Sequence, residues 1–200
     1  AGDLSAETQV RSYLTANRII LGDSEGAHYH AKAALEAAER LRDRTWLLFV
    51  LWSNESLRRL QGDWKAAREF SDRGLAVAPR EPRLLGFRTL LEYEVGDFLA
   101  GESYLERLLE AMRLSPPGPT MEYLLPALAI PLVTRITGVG DRSEAAQSAA
   151  EAVLSSGSVL PLGDQIARAG LGLLVVERRD IVAANEQDPL LQTTRGIMII

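Results

Sequence analysis

The sequence predicts an all-α fold, an array of about five helix-turn-helix units within 200 residues. Three observations carry that expectation. A Gly-Asp pair recurs along the chain, small residues follow each pair at helical spacing, and neither a β-hairpin signal nor a sustained apolar/polar alternation is present. The pairs are Gly22-Asp23, Gly62-Asp63, Gly96-Asp97 and Gly140-Asp141, and Arg179-Asp180 stands in the next equivalent place. Their aspartates lie 40, 34, 44 and 39 residues apart, the period of a helix-turn-helix solenoid repeat.

Each pair reads as a stop followed by a start. Glycine enters the left-handed conformation that ends a helix. Aspartate caps the next helix and offsets its positive end. Four residues after each aspartate comes a small residue, Ala27, Ala67, Gly101, Ala145 and Ala184. Seven further on come Ala34, Gly74 and Ala152, with Leu108 in the third unit and Leu191 in the fifth. Small side chains two turns apart on one face let a neighbouring helix approach closely.

First helices are expected over 5–20, 44–60, 82–95, 120–137 and 163–178, and second helices over 24–41, 64–78, 98–113, 142–155 and 181–188. Pro82 suits a first helical turn, and Pro79 suits the residues just past a helix end. Ser115 to Pro119 is the clearest loop, and Gly157 to Gly163 reads as a second break. The units then span 5–42, 44–79, 82–114, 120–156 and 163–190 of a single domain over 1–200, with the start of a sixth at 193–200. The apolar stop Ile197-Met198-Ile199-Ile200 reads as the interior of a longer protein, of which this chain is an excerpt.

Composition narrows the chemistry. Hydrophobic residues make up 46% and charged residues 24%, a globular balance. A net charge of −5 without a Lys/Arg cluster argues against direct nucleic-acid binding, which depends on neutralising phosphates. The absence of cysteine excludes disulfides, thiolate metal sites and Cys nucleophiles within the chain. His28 and His30 are two apart on a helix and point away from each other, so they do not suit one metal ion. The serines have no evident histidine base. Gly138-Val139-Gly140 lacks the Gly-Lys-Ser/Thr of a phosphate loop. The longest apolar stretch, 124–133, is interrupted by Pro126 and Pro131 and falls short of the ~18 residues that suggest a membrane helix. No basic n-region and apolar run mark a secretory signal at the start. The expectation is a non-catalytic chain with no cofactor, no metal site and no membrane or direct nucleic-acid partner.

The second unit carries the clearest family likeness. Gly62-Asp63-Trp64-Lys65-Ala66-Ala67-Arg68-Glu69-Phe70, followed by Gly74-Leu75-Ala76-Val77-Ala78-Pro79, resembles the G-D-Y-x-x-A…A…P pattern of the tetratricopeptide repeats. Trp64 stands for the aromatic, Ala67 and Gly74 for the two small positions and Pro79 for the terminal proline. The small position of the first helix departs from the pattern at Thr15, Glu55, Thr89 and Val133 and conforms at Gly172. The resemblance implies a right-handed superhelix. Units of about 40 residues with Gly-Asp turns are similar to the repeat region of large bacterial signalling proteins, in which an ATPase module is joined to a LuxR-type DNA-binding domain or a class III nucleotide cyclase. It therefore implies a cytoplasmic interaction or sensor region of a LuxR-type, ATP-dependent transcriptional regulator. The alternatives are the same region of an ATPase-linked cyclase and a free-standing adaptor.

Trp46 to Trp52 is seven consecutive apolar residues, a helix covered on more than one side. By analogy with the family, repeat phase puts Phe49, Trp52, Ser56 and Arg59 on the concave surface. Arg83, Leu90, Tyr93 and Glu94 follow on the same surface in the next unit. Core packing is the default reading of this run. Because aromatic and arginine side chains are typical of interface hot spots, the alternative is a groove there for a protein segment or small effector, its binding biasing the placement of flanking domains. Arg59 is expected to be accessible, having little reason to be buried.

Overall fold

A computed structural model describes residues 3–155 and 161–177. All elements among these residues are α-helices: α1 (Leu4–Ile20), α2 (Ser24–Leu41), α3 (Arg44–Leu60), α4 (Trp64–Val77), α5 (Pro82–Glu94), α6 (Phe98–Arg113), α7 (Met121–Thr137), α8 (Ser143–Ser155) and α9 (Pro161–Glu177). The expected helices within this range are all present. The ninth begins at Pro161 rather than 163, because proline fits the first helical turn, where its missing N–H has no partner to lose. Residues 181–188, Ala184 and the expected sixth start at 193–200 lie outside the described residues. The chain divides into two compact units between Leu84 and Leu85.

In the first unit α1 and α2 form a helical hairpin, α3 packs on both, and α4 folds back on α3. The sequence dictates this through α2. Ala27, Ala31, Ala34 and Ala38 recur at spacings of 4, 3 and 4 and are all buried, so one stripe of the helix carries only methyl groups. Leu57 fills the space against Ala27 and Ala31, and Val50 that against Ala34 and Ala38. Asn54 is buried in α3 and donates from Nδ2 to the Val50 carbonyl at 3.0 Å and across to the Ala31 carbonyl of α2 at 3.3 Å. Gly74 of α4 faces Leu84, whose Cδ1 would sit 2.3 Å from any added Cβ.

Three Gly-Asp turns share one geometry. Gly22, Gly62 and Gly96 have φ of 73°, 74° and 83°. In each, the glycine N–H bonds the carbonyl three residues back and the aspartate N–H the carbonyl five back, which closes the first helix. Each aspartate side chain then accepts the N–H three residues on, at Gly26, Ala66 and Ala100. Asp3 and Asp43 cap α1 and α3 in the same way.

The fourth turn corrects the sequence reading. The left-handed residue is Gly138 (φ 72°), not Gly140, and Gly138 alone closes α7 through its N–H to the Thr134 carbonyl. Helix α8 starts one residue later than the pattern requires. Arg142, not Asp141, supplies the carbonyl that accepts the first helical bond, from Ala146. The buried small face moves by one accordingly, to Ala146 and Val153 instead of Ala145 and Ala152.

In the second unit α6 packs on α7, and α7, α8 and α9 pack on one another. Pro126 and Pro131 lie inside α7. A proline has no N–H, so Pro131 leaves the Ala127 carbonyl without its helical donor. Gly170 of α9 lies against that oxygen, so close that an added Cβ would be 2.2 Å from it. The carbonyl faces a Cα–H, a weak donor that helices use at close crossings.

Candidate functional site

The expected surface residues divide between two clefts and the helix interiors. In the first unit an open groove of about 530 Å³ runs between α1, the start of α3 and the α4–α5 turn. Tyr13 comes from α1, Arg44, Trp46 and Phe49 from α3, and Glu81 and Arg83 from the turn and the start of α5. The i, i+3 spacing of Trp46, Phe49 and Trp52 sets their rings in an edge-to-face ladder, with centroids 6.0 and 5.3 Å apart. All three are half-buried; Trp46 and Phe49 line the groove, whereas Trp52 does not, and its indole nitrogen is buried. Arg83 pairs with Glu81 at 3.1 Å.

Further along α3 the surface closes. Ser56 is buried, and Arg59, expected to be accessible, is only 9% exposed. The reason lies in its neighbours. Asn54, Glu55, Ser56 and Arg59 take different sides of α3 and are all buried, so this stretch of the helix is covered on more than one side rather than open on one face. Ser56 Oγ donates to Glu55 Oε2 at 3.5 Å.

In the second unit Tyr93 borders a cleft of about 640 Å³ between α5, α6, α7 and the α7–α8 turn. Phe98, Leu105, Ile130 and Val133 make its apolar lining, and Glu102 and Arg142 its polar one. The Tyr93 hydroxyl donates to Glu102 Oε2 at 2.9 Å. Arg142 donates to Glu102 as well, and to Glu106 at 2.6 Å. Burial pushes the Tyr93 phenol up to about 12, reinforced by its bond to the Glu102 carboxylate and that group's charge and opposed by Arg142. The phenol therefore keeps its proton at neutral pH and serves as a hydrogen-bond donor, not as a base or nucleophile. Leu90 is buried and Glu94 exposed, and neither lines this cleft.

The two histidines are engaged with arginines. His28 Nδ1 lies 2.9 Å from Arg58 Nη2, and His30 Nδ1 lies 3.2 Å from Arg11 Nη1. Among the described residues no group of three or more His, Cys, Asp or Glu side chains could hold a metal ion. None of the described helices is long and apolar enough to cross a membrane.

Sequence reasoning missed two charged features. Arg88 and Glu92 form a buried ion pair at 2.5 Å on α5, with the Arg88 guanidinium 4.9 Å from the centre of the Tyr104 ring. The signal was available as an Arg-Glu pair at i, i+4 inside an apolar run. Arg142, which ties α6 to the α7–α8 turn, carried no local signal, because its partners lie 36 and 40 residues away. Comparison with protein-family models, curated proteins and solved structures finds no match to this chain.

Proposed function

We propose that this chain is a non-catalytic helical-repeat interaction domain of tetratricopeptide type, coiled as a right-handed superhelix, that binds a protein segment or small effector along its first helices. The observation that carries this reading is the shared hydrogen-bond pattern of the turns at Gly22-Asp23, Gly62-Asp63 and Gly96-Asp97, one structural unit used three times. The packing of first helix on next first helix, α1 on α3 and α7 on α9, supports it. So does the half-buried aromatic ladder, since a chain that needed α3 only as core has no reason to leave Trp46, Phe49 and Trp52 partly open. In this reading the domain serves a cytoplasmic bacterial regulator of LuxR type. Binding shifts the placement of neighbouring domains, because each repeat contacts only its neighbours.

A photo-crosslinking amino acid placed at Phe49 in the full-length protein, in cells, tests the reading. The expected result is a discrete adduct by mass spectrometry, depleted when Trp46→Ala is added and absent when the label replaces the exposed Lys65. Equal labelling from both positions, or none from Phe49, overturns it.

A further inference from the structure

We propose that the groove beside Phe49 receives an extended acidic segment of a partner protein, which buries one apolar side chain against Trp46 and Phe49 and sets its carboxylates on Arg42, Arg44 and Arg83. The inference rests on the interaction reading above and names the chemistry of the partner.

Charge complementarity carries it. The whole chain has a net charge of −5, yet residues 42–44 and 80–83 hold four arginines against Asp43 and Glu81. Asp43 is occupied as the cap of α3, accepting the Trp46 N–H at 3.0 Å. Glu81 is occupied by Arg83. Arg42 and Arg44 are exposed, and their side chains form no ion pair or hydrogen bond among the described residues. Of the four arginines, Arg44 and Arg83 line the groove beside Glu81, and Arg42 stands two residues before Arg44 at the end of α2, so the groove carries a positive balance in a chain that is negative as a whole.

Arg42 supplies an independent observation. It ends α2 in the left-handed conformation with φ of 57°, the one non-glycine among the described residues to do so, while Gly22, Gly62, Gly96 and Gly138 hold the other left-handed positions. An arginine there is strained, and the strain is compensated if its guanidinium has work at the groove. The recessed rings favour a peptide over a flat anionic bilayer. Trp46 and Phe49 line the groove and are half-buried, a setting that suits a single inserted side chain better than a flat surface.

The test selects a random dodecapeptide library on the full chain and titrates the enriched peptides by Trp fluorescence. Peptides with Asp or Glu flanking Leu, Phe or Trp are expected. Their affinity should fall about tenfold with Arg44→Ala or Arg83→Ala and fall again as salt is raised. Arg42→Gly separates binding from folding. It should raise the melting temperature, since the strain is relieved, and still weaken the peptide severalfold. Neutral or basic peptides, or acidic ones indifferent to all three variants, overturn this proposal while leaving the crosslink at Phe49 intact. Pull-down by vesicles containing phosphatidylserine in the absence of any peptide binding overturns it in favour of a lipid surface. Enrichment of no peptide overturns it too, and a failed Phe49 crosslink alongside would take the interaction reading with it.

Discussion

The two units bring their helices together by different means. In the first, closeness comes from what the side chains lack. α2 turns a stripe of four alanines to its neighbours, and larger residues of α3 fill the gap. In the second, closeness at α7 involves the backbone itself. Pro131 frees the Ala127 carbonyl, and Gly170 occupies the space over it. The turns differ likewise. Those of the first unit are capped by aspartates, as is the α5–α6 turn of the second at Asp97, whereas the α7–α8 turn lacks the cap and has Arg142 reaching across to α6. A methyl stripe tolerates small adjustments, because side chains on the facing helix can move. A carbonyl in contact with a Cα cannot retreat without moving its helix.

That contrast is most sharply broken at Gly170. Glycine to alanine inside a helix ordinarily stabilises by about 1 kcal/mol through propensity. Here the sign should reverse, because the new methyl meets a backbone oxygen, and overpacking of this kind costs about 1–3 kcal/mol or more. Urea unfolding followed by circular dichroism should show Gly170→Ala less stable than wild type by about 2 kcal/mol. A stabilised variant would show that α9 does not lie on the Ala127 carbonyl.

Gly74→Ala makes the matching test in the first unit. The added methyl meets Leu84 Cδ1, a fully buried side-chain end rather than backbone. Part of the clash can be relieved by a Leu84 rotamer change, so the loss should be about 1 kcal/mol, smaller than at Gly170. A larger loss at Gly74 than at Gly170, in the same assay, would invert the comparison between side-chain and backbone closeness.

The turns give the next effect in size. Asp63→Ala removes a side-chain bond to the Ala66 N–H and should cost about 1 kcal/mol. Asp141→Ala removes no cap and should change stability by no more than about 0.5 kcal/mol, as for an exposed surface site. Equal losses from the two would restore Gly140-Asp141 as a turn of the common kind.

Why the sequence misled at that turn is instructive. Helix boundaries were legible almost throughout, because the punctuation is local. Glycine, aspartate and proline act within a few residues of where they stand, as at Gly62-Asp63 and Pro82. The fourth pair looked the same in one dimension, but Gly138 lies two residues earlier and reaches the left-handed position first, so the phase of α8 slipped by one. The candidate site was legible only in part. Phe49 and Arg83 do border one groove and Tyr93 another cleft. Arg59 was misjudged because its burial depends on the environment of α3 and not on its own type. The Arg142 bridge was invisible, since nothing within ten residues announces a partner 40 residues away.

The smallest effect concerns pH and the α1–α2 pair. His30 has its pKa held below the ordinary 6.5, first by partial burial, then by the Arg11 and Arg18 charges from α1, with Asp23 opposing. Arg11 also stands 5.5 Å from the centre of the Tyr29 ring, so protonating His30 would bring a cation beside a guanidinium already in place. The sign follows from linkage. The unfolded chain takes up the proton more readily than the folded one, so His30 leaves stability intact above about pH 6.5 and subtracts from it as pH falls through that value toward the lower folded pKa. Replacing His30 with glutamine removes the proton site and should flatten this part of the profile. Melting temperatures at pH 7.5 and 5.5 check it. Wild type should lose more on acidification than His30→Gln, and an identical loss in both proteins would mean that His30 is not held below its ordinary value by Arg11 and Arg18.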